Sequence, residues 1–161
     1  MSVSANRIWR QMSEETRIAA SKLFWYESKG AAKQILLSSL AKAKNLREVT
    51  VHKTPVERLA NWTAGTLSLP DQLVDDLLKN YLLHEHRGVI VSFLELLKIP
   101  HVDGMIDESF DLATLSKEQV HKAAHSLLAS ADRKGAVLYL KYLVLQGGPW
   151  AAVEEVLAAE E

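Results

Sequence analysis

Three times along this chain a basic residue and a glycine are followed at once by an apolar-rich stretch: AAKQILLSSL after Gly30, VIVSFLELLK after Gly88 and AVLYLKYLVL after Gly135. Each is preceded by an amphipathic segment, beginning near Thr16, Val74 and His121. A helix that is apolar around most of its circumference has to be covered on most sides. The pattern therefore predicts three helical hairpins, with the second helices at the centre and the first helices packed around them. The glycines are 58 and 47 residues apart, so this is not a strict tandem array. The expected fold is all-α, an irregular bundle or a short α-solenoid of six to eight helices, forming a single domain over residues 1–161.

Capping signals place the individual helices. Ser13-Glu14-Glu15 is an N-cap with acids in the first turn, where the helix dipole favours them. This helix is expected to run to about Ser28 and stop at Gly30. The next covers residues 31 to about 44, with Ile35, Leu36, Leu37 and Leu40 facing inward. Thr54-Pro55-Val56-Glu57 has the form of a capping box and opens a short helix that ends near Gly65. Pro70-Asp71 opens another, whose Leu73, Val74, Leu77, Leu78, Tyr81 and Leu82 share one face. Gly88 is expected to separate it from a helix over residues 89–97, which Pro100 ends. Ser116-Lys117-Glu118-Gln119 is a second capping box, opening a helix to about Ser130. Gly135 precedes a helix over residues 136–145, Gly147 and Gly148 stop it, and Pro149 starts the last. Val49-Thr50-Val51 is β-branched throughout and could be extended, and residues 104–115 are expected to form a loop.

No apolar run approaches the roughly 20 residues that a membrane helix needs, and the longest, Gly135 to Leu140, is far shorter. Residues 1–11 have two arginines but no apolar signal-peptide core. The absence of cysteine excludes disulfides, thiolate metal sites and a cysteine nucleophile. These features lead to the expectation of a cytoplasmic protein with no membrane partner and no cofactor. The net charge of −1 conceals an asymmetry: residues 1–50 carry nine bases and four acids, and residues 101–161 carry five bases and ten acids. Such a distribution steers association more than it dictates fold.

Four constellations could carry chemistry. His86-Arg87-Gly88 resembles the end of the damage-inducible, metal-binding four-helix family, in which a histidine pair one helical turn apart precedes Arg-Gly. Here the position one turn before His86 is Leu82, so the paired-histidine face that this family uses for metal is lost. Glu118, His121 and His125 stand three and four residues apart, so a carboxylate and two imidazoles share a helix face that could hold an ion. His101 and Asp103, on the preceding loop, could complete that set. The loop His101–Glu108 also combines a histidine, three acids and a glycine, although acids around a glycine are ordinary turn chemistry. Finally, Arg7, Arg10, Lys22, Lys29 and Lys33 lie among Trp9, Trp25 and Tyr26, a mixture that can bind anions or stack on nucleic-acid bases. Phe24, Trp25 and Tyr26 are consecutive, however, so a helix points them over a wide arc and most must be buried.

No nucleophile elbow, phosphate loop, dinucleotide fingerprint or zinc-protease motif occurs. The leading expectation is a non-enzymatic helical protein-interaction module whose partner is protein, another copy or a different chain. The alternatives are a histidine/carboxylate metal-binding helical protein, and a weak anion or nucleic-acid binder through the basic N-terminal third. Nucleic acid is the less favoured partner.

Overall fold

Between its caps the backbone is helical almost throughout. The computed structural model describes residues 4–27 and 29–160, and among them it has ten α-helices. These are α1 (Ala5–Gln11), α2 (Glu14–Glu27), α3 (Ala31–Lys44), α4 (Glu48–His52), α5 (Val56–Gly65), α6 (Asp71–Glu85), α7 (Arg87–Leu96), α8 (Lys117–Leu128), α9 (Arg133–Gln146) and α10 (Val153–Ala159). Two 3-10 turns and one two-residue-stranded hairpin, β1 (His101–Val102) and β2 (Met105–Ile106), complete it. The protein is all-α, as expected, but the expected six to eight helices become ten. The expected end of the second helix at Ser28 lies outside the described residues. No helix among the described residues is long and apolar enough to cross a membrane.

The additional helices are α1 and α4. Ser4 opens α1 by accepting from the Arg7 N–H at 3.2 Å, and the Asp71 carboxylate accepts from the Asn6 N–H at 3.0 Å. The other Asp71 oxygen accepts from the Ala5 N–H at 3.4 Å, so three of the four donors that a helix start leaves open are satisfied. Residues 49–51, which could be extended on sequence, lie in α4. The β-branched preference is weak and local. Here Glu48 is anchored by the Ser38 hydroxyl on α3, which donates to it at 2.8 Å.

The chain divides into two compact units, Met1–Tyr81 and Leu82–Glu161, with the division falling inside α6. In the first unit α2 packs against α5 and α3 against α4. Arg17 reaches from α2 to the C-terminal carbonyls of two helices, donating to Ala64 O at 2.9 Å and Met12 O at 2.6 Å. The buried Trp25 indole donates to Thr63 Oγ1 at 3.0 Å, and that hydroxyl donates to Leu59 O. Leu36, Leu37 and Leu40 of α3 are buried as expected, but Ile35 is half exposed. The predicted box at Thr54 does not form. Pro55 is the N-cap of α5 without a side-chain bond, and the Thr54 hydroxyl donates back to Thr50 O.

In the second unit α7, α8, α9 and α10 enclose one apolar core, with Phe93, Leu94, Val120, Leu127, Leu140 and Val153 almost completely buried. The Phe93 ring meets Tyr139 edge-on at 5.6 Å and Trp150 at 5.7 Å, geometries that aromatic pairs favour. The capping box of Ser116 and Gln119 forms in both directions. Gly147 and Gly148, both at positive φ, end α9 as expected. Gly88 and Gly135 are corrected: neither separates helices, since α7 begins at Arg87 and α9 at Arg133. Of the three glycines read as hairpin junctions, Gly30 has a positive φ, at 73°.

Candidate functional site

The histidines and acids that suggested metal are placed apart. His121 Nε2 lies 3.3 Å from Glu155 on α10, and the other oxygen of that carboxylate accepts from Lys117 at 2.7 Å. The bond from Lys117 holds Glu155 below the usual carboxylate range. Glu118 and His125 are exposed on α8. His101 accepts from the Gly104 N–H through Nδ1 at 3.1 Å, and its Nε2 lies 4.0 Å from Glu95. Asp103 is exposed at the hairpin turn. Among the described residues no three His, Asp or Glu side chains converge as a metal-holding group.

The basic residues of the N-terminal third are distributed over several elements. Arg7 and Arg10 are on α1, Lys22 on α2, Lys29 in the turn after it, and Lys33 on α3. Arg10 donates to Leu67 O at 3.2 Å. Trp9 and Trp25 are both buried and present no stacking face, while the exposed Tyr26 donates to Glu57.

A pair that sequence reasoning missed joins the starts of two helices. His86, the N-cap of α7, lies with Nδ1 2.7 Å from Asp132, and the second Asp132 oxygen accepts from the Gly135 N–H at 3.0 Å. Partial burial pushes the Asp132 carboxyl upward. The bonds from Gly135 and His86 outweigh it and leave the group below its ordinary range. A Cβ at Gly135 would collide with both the His86 ring and the Asp132 carboxylate, so this glycine supplies space, not a turn.

A groove lies between the end of α7 and one face of α8. α7 closes with two bonds, Ile99 N–H to Leu94 O at 2.9 Å and Lys98 N–H to Glu95 O at 3.0 Å. That is the Schellman pattern, in which the residue at Lys98's position is left-handed and usually glycine. Three non-glycine residues among those described have positive φ: Asn45 at 54°, Lys98 at 56° and Asp103 at 51°. Asparagine and aspartate visit this region readily, whereas a lysine Cβ there costs roughly 1–2 kcal/mol. Lys98 is one of the residues lining the groove of about 370 Å³, with Leu96, Leu97, Gln119, Lys122, Ala123 and Ser126. Residues 119, 122, 123 and 126 form one helical face of α8. Leu96 remains 49% exposed, and among the described residues neither lysine is engaged in an ion pair. A second cavity, beside Leu115, Pro149 and Ala152, has charged lining residues, Lys117 and Glu155, that neutralise each other.

Comparison with known protein families, curated proteins and solved structures finds no match.

Proposed function

We propose that the chain is a non-enzymatic helical protein-interaction module that receives an apolar, acidic protein segment in the α7–α8 groove. One observation carries this: Lys98 occupies a backbone position where glycine is the less strained choice, and it lines the groove together with the exposed Leu96. Strain confined to one place argues for a use of the strained residue. The lining combines apolar side chains with two cations, so a matching segment presents leucine-like residues flanked by carboxylates. No constellation favours catalysis or a metal over this reading.

A labelled helical peptide with leucines on one face and glutamates beside them is the probe. Fluorescence anisotropy should detect its binding, and Lys98→Glu with Lys122→Glu should weaken it by about tenfold or more. A peptide with lysines replacing the glutamates should not bind. Equal binding of both peptides, or no effect of the double variant, overturns the proposal.

A further inference from the structure

The hairpin that follows α7 has the complementary character. Its cross-strand partners are His101 with Ile106 and Val102 with Met105, and directly opposed residues share a face of the ribbon. His101 and Ile106 are half-buried on the inner face. The outer face therefore carries Val102 and Met105 side by side, 75% and 53% exposed. Exposed acids border this knob: Asp103 at the turn, then Asp107 and Glu108. Asp107 accepts from both the N–H and the hydroxyl of Ser109, which keeps it a carboxylate.

The knob is also preformed. Asp103 and Gly104 have φ of 51° and 89°, the two consecutive positive values of the tight hairpin turn that Asp-Gly favours. A Cβ at Gly104 would lie 3.1 Å from Ile90, so the turn is pressed against α7, and His101 braces it through the Gly104 N–H. A rigid apolar pair loses little conformational freedom when it docks. The same anchoring keeps the hairpin against its own α7, so a groove occupant of this kind comes from elsewhere.

We infer that the segment received by the α7–α8 groove is the β1–β2 hairpin of a second copy of this chain, with Val102 and Met105 seated against the exposed Leu96. Asp103, Asp107 and Glu108 of that copy then face Lys98 and Lys122. This rests on the groove being a docking site, and it adds the identity of the occupant. Two different patches meet, so the contact is heterologous and each copy offers both a knob and a groove. The charged part of the contact is exposed, so salt should weaken it.

Sedimentation velocity over about 1 μM to 1 mM, the range of weak to moderate affinities, should show the average mass rising above that of the monomer. Val102→Asp with Met105→Asp removes the knob, and Lys98→Glu with Lys122→Glu removes the groove's charge. All four side chains lie on the surface, and circular dichroism checks that both variants keep their helices. Each double variant alone should remain monomeric. Their equimolar mixture should regain association and stop at a dimer of one chain each, because one intact knob and one intact groove remain. A wild-type chain that stays monomeric throughout, association that survives either double variant, or a mixture that does not associate overturns the inference. If that monomeric wild type still binds the acidic probe peptide and Lys98→Glu with Lys122→Glu does not, the docking site stands and only its occupant is wrong.

Discussion

The ends of α3 and α7 use the same hydrogen bonds for different purposes. α3 closes with Leu46 N–H to Ala41 O and Asn45 N–H to Lys42 O, and α7 with Ile99 N–H to Leu94 O and Lys98 N–H to Glu95 O. Both put one residue in the left-handed region. At α3 that residue is asparagine, whose short side chain suits it, and the apolar residue after it, Leu46, is 37% exposed. At α7 it is lysine, and the following Ile99 is buried against the core with Leu94. The first cap simply ends a helix. The second is nailed into the core by Ile99, and under the proposed function that anchorage holds a side chain glycine could not supply. Strong packing beneath a strained surface residue is what allows the strain to persist.

The largest effect that tests this contrast is the loss of the nail. Ile99→Ala should destabilise by about 2–5 kcal/mol, the usual cost of emptying a core site, whereas Leu46→Ala should cost under about 1 kcal/mol. Chemical denaturation of the two variants measures both. Similar losses would show that the two caps are equally structural.

The helix-start glycines of α7 and α9 form the next pair. Gly135→Ala should destabilise by about 1–3 kcal/mol, because the methyl group must displace His86 or Asp132. Gly88 is exposed, lies in the first turn of α7 and has open space around it. Gly88→Ala should therefore stabilise by about 0.5–1 kcal/mol by restricting the unfolded chain. Thermal melts of both separate the two uses of glycine, and matching shifts of one sign would refute the distinction.

The caps themselves come next in size. Lys98→Gly should relieve the left-handed lysine, less the extra flexibility of the unfolded chain, for a net gain of about 0.5–1 kcal/mol. Asn45→Gly should stay within a few tenths of a kcal/mol, since asparagine already tolerates the conformation. The comparison is sharpest when stability and binding are measured together. Lys98→Gly should raise the melting temperature while weakening the acidic probe peptide, and Asn45→Gly should change neither. A lysine that can be replaced with gains in both would have no role at the groove.

These pairs also show what could be seen in the sequence. The α6 face from Leu73 to Leu82 and the Ser116–Gln119 box were legible because each is a complete local signal, an apolar period or a reciprocal cap. Val49–Val51 was not, since a five-residue helix depends on Glu48 meeting Ser38 across the chain. Gly135 reads as a breaker because a glycine needed for space looks the same as one needed for a turn, and Gly88, with open space around it, is needed for neither. The hairpin had its signal in Asp103-Gly104 between apolar Val102 and Met105, a strong one for this turn, although its acids were weighed only as turn chemistry. The groove itself was not legible. Its lysines come from a helix end and a helix face that only packing brings together, and Leu97-Lys98-Ile99-Pro100 hints at no more than a helix stop.

The smallest effect concerns acid, and it separates α9 from α3 as helix starts. α3 begins at Gly30 with no side-chain cap, so nothing at its first turn titrates with a cap bond. α9 begins at Asp132, whose carboxylate accepts from Gly135 and pairs with His86. The folded state holds this carboxyl below its ordinary value of 3.8. A depressed carboxyl binds protons less readily in the native chain than in the unfolded one, so its stabilisation is fully present above that ordinary value. It is lost as the pH falls from there toward the lower folded value. The group is 45% exposed, so solvent screening keeps the contribution under about 1 kcal/mol. Amide exchange at Gly135 should therefore accelerate, relative to the first turn of α3, as the pH is lowered below about 4. Asp132→Asn retains an acceptor for the Gly135 N–H but no titrating charge, and should remove the acid dependence at that amide. An acid-induced acceleration that persists in Asp132→Asn would place the sensitive group elsewhere and leave the His86–Asp132 pair as a packing contact only.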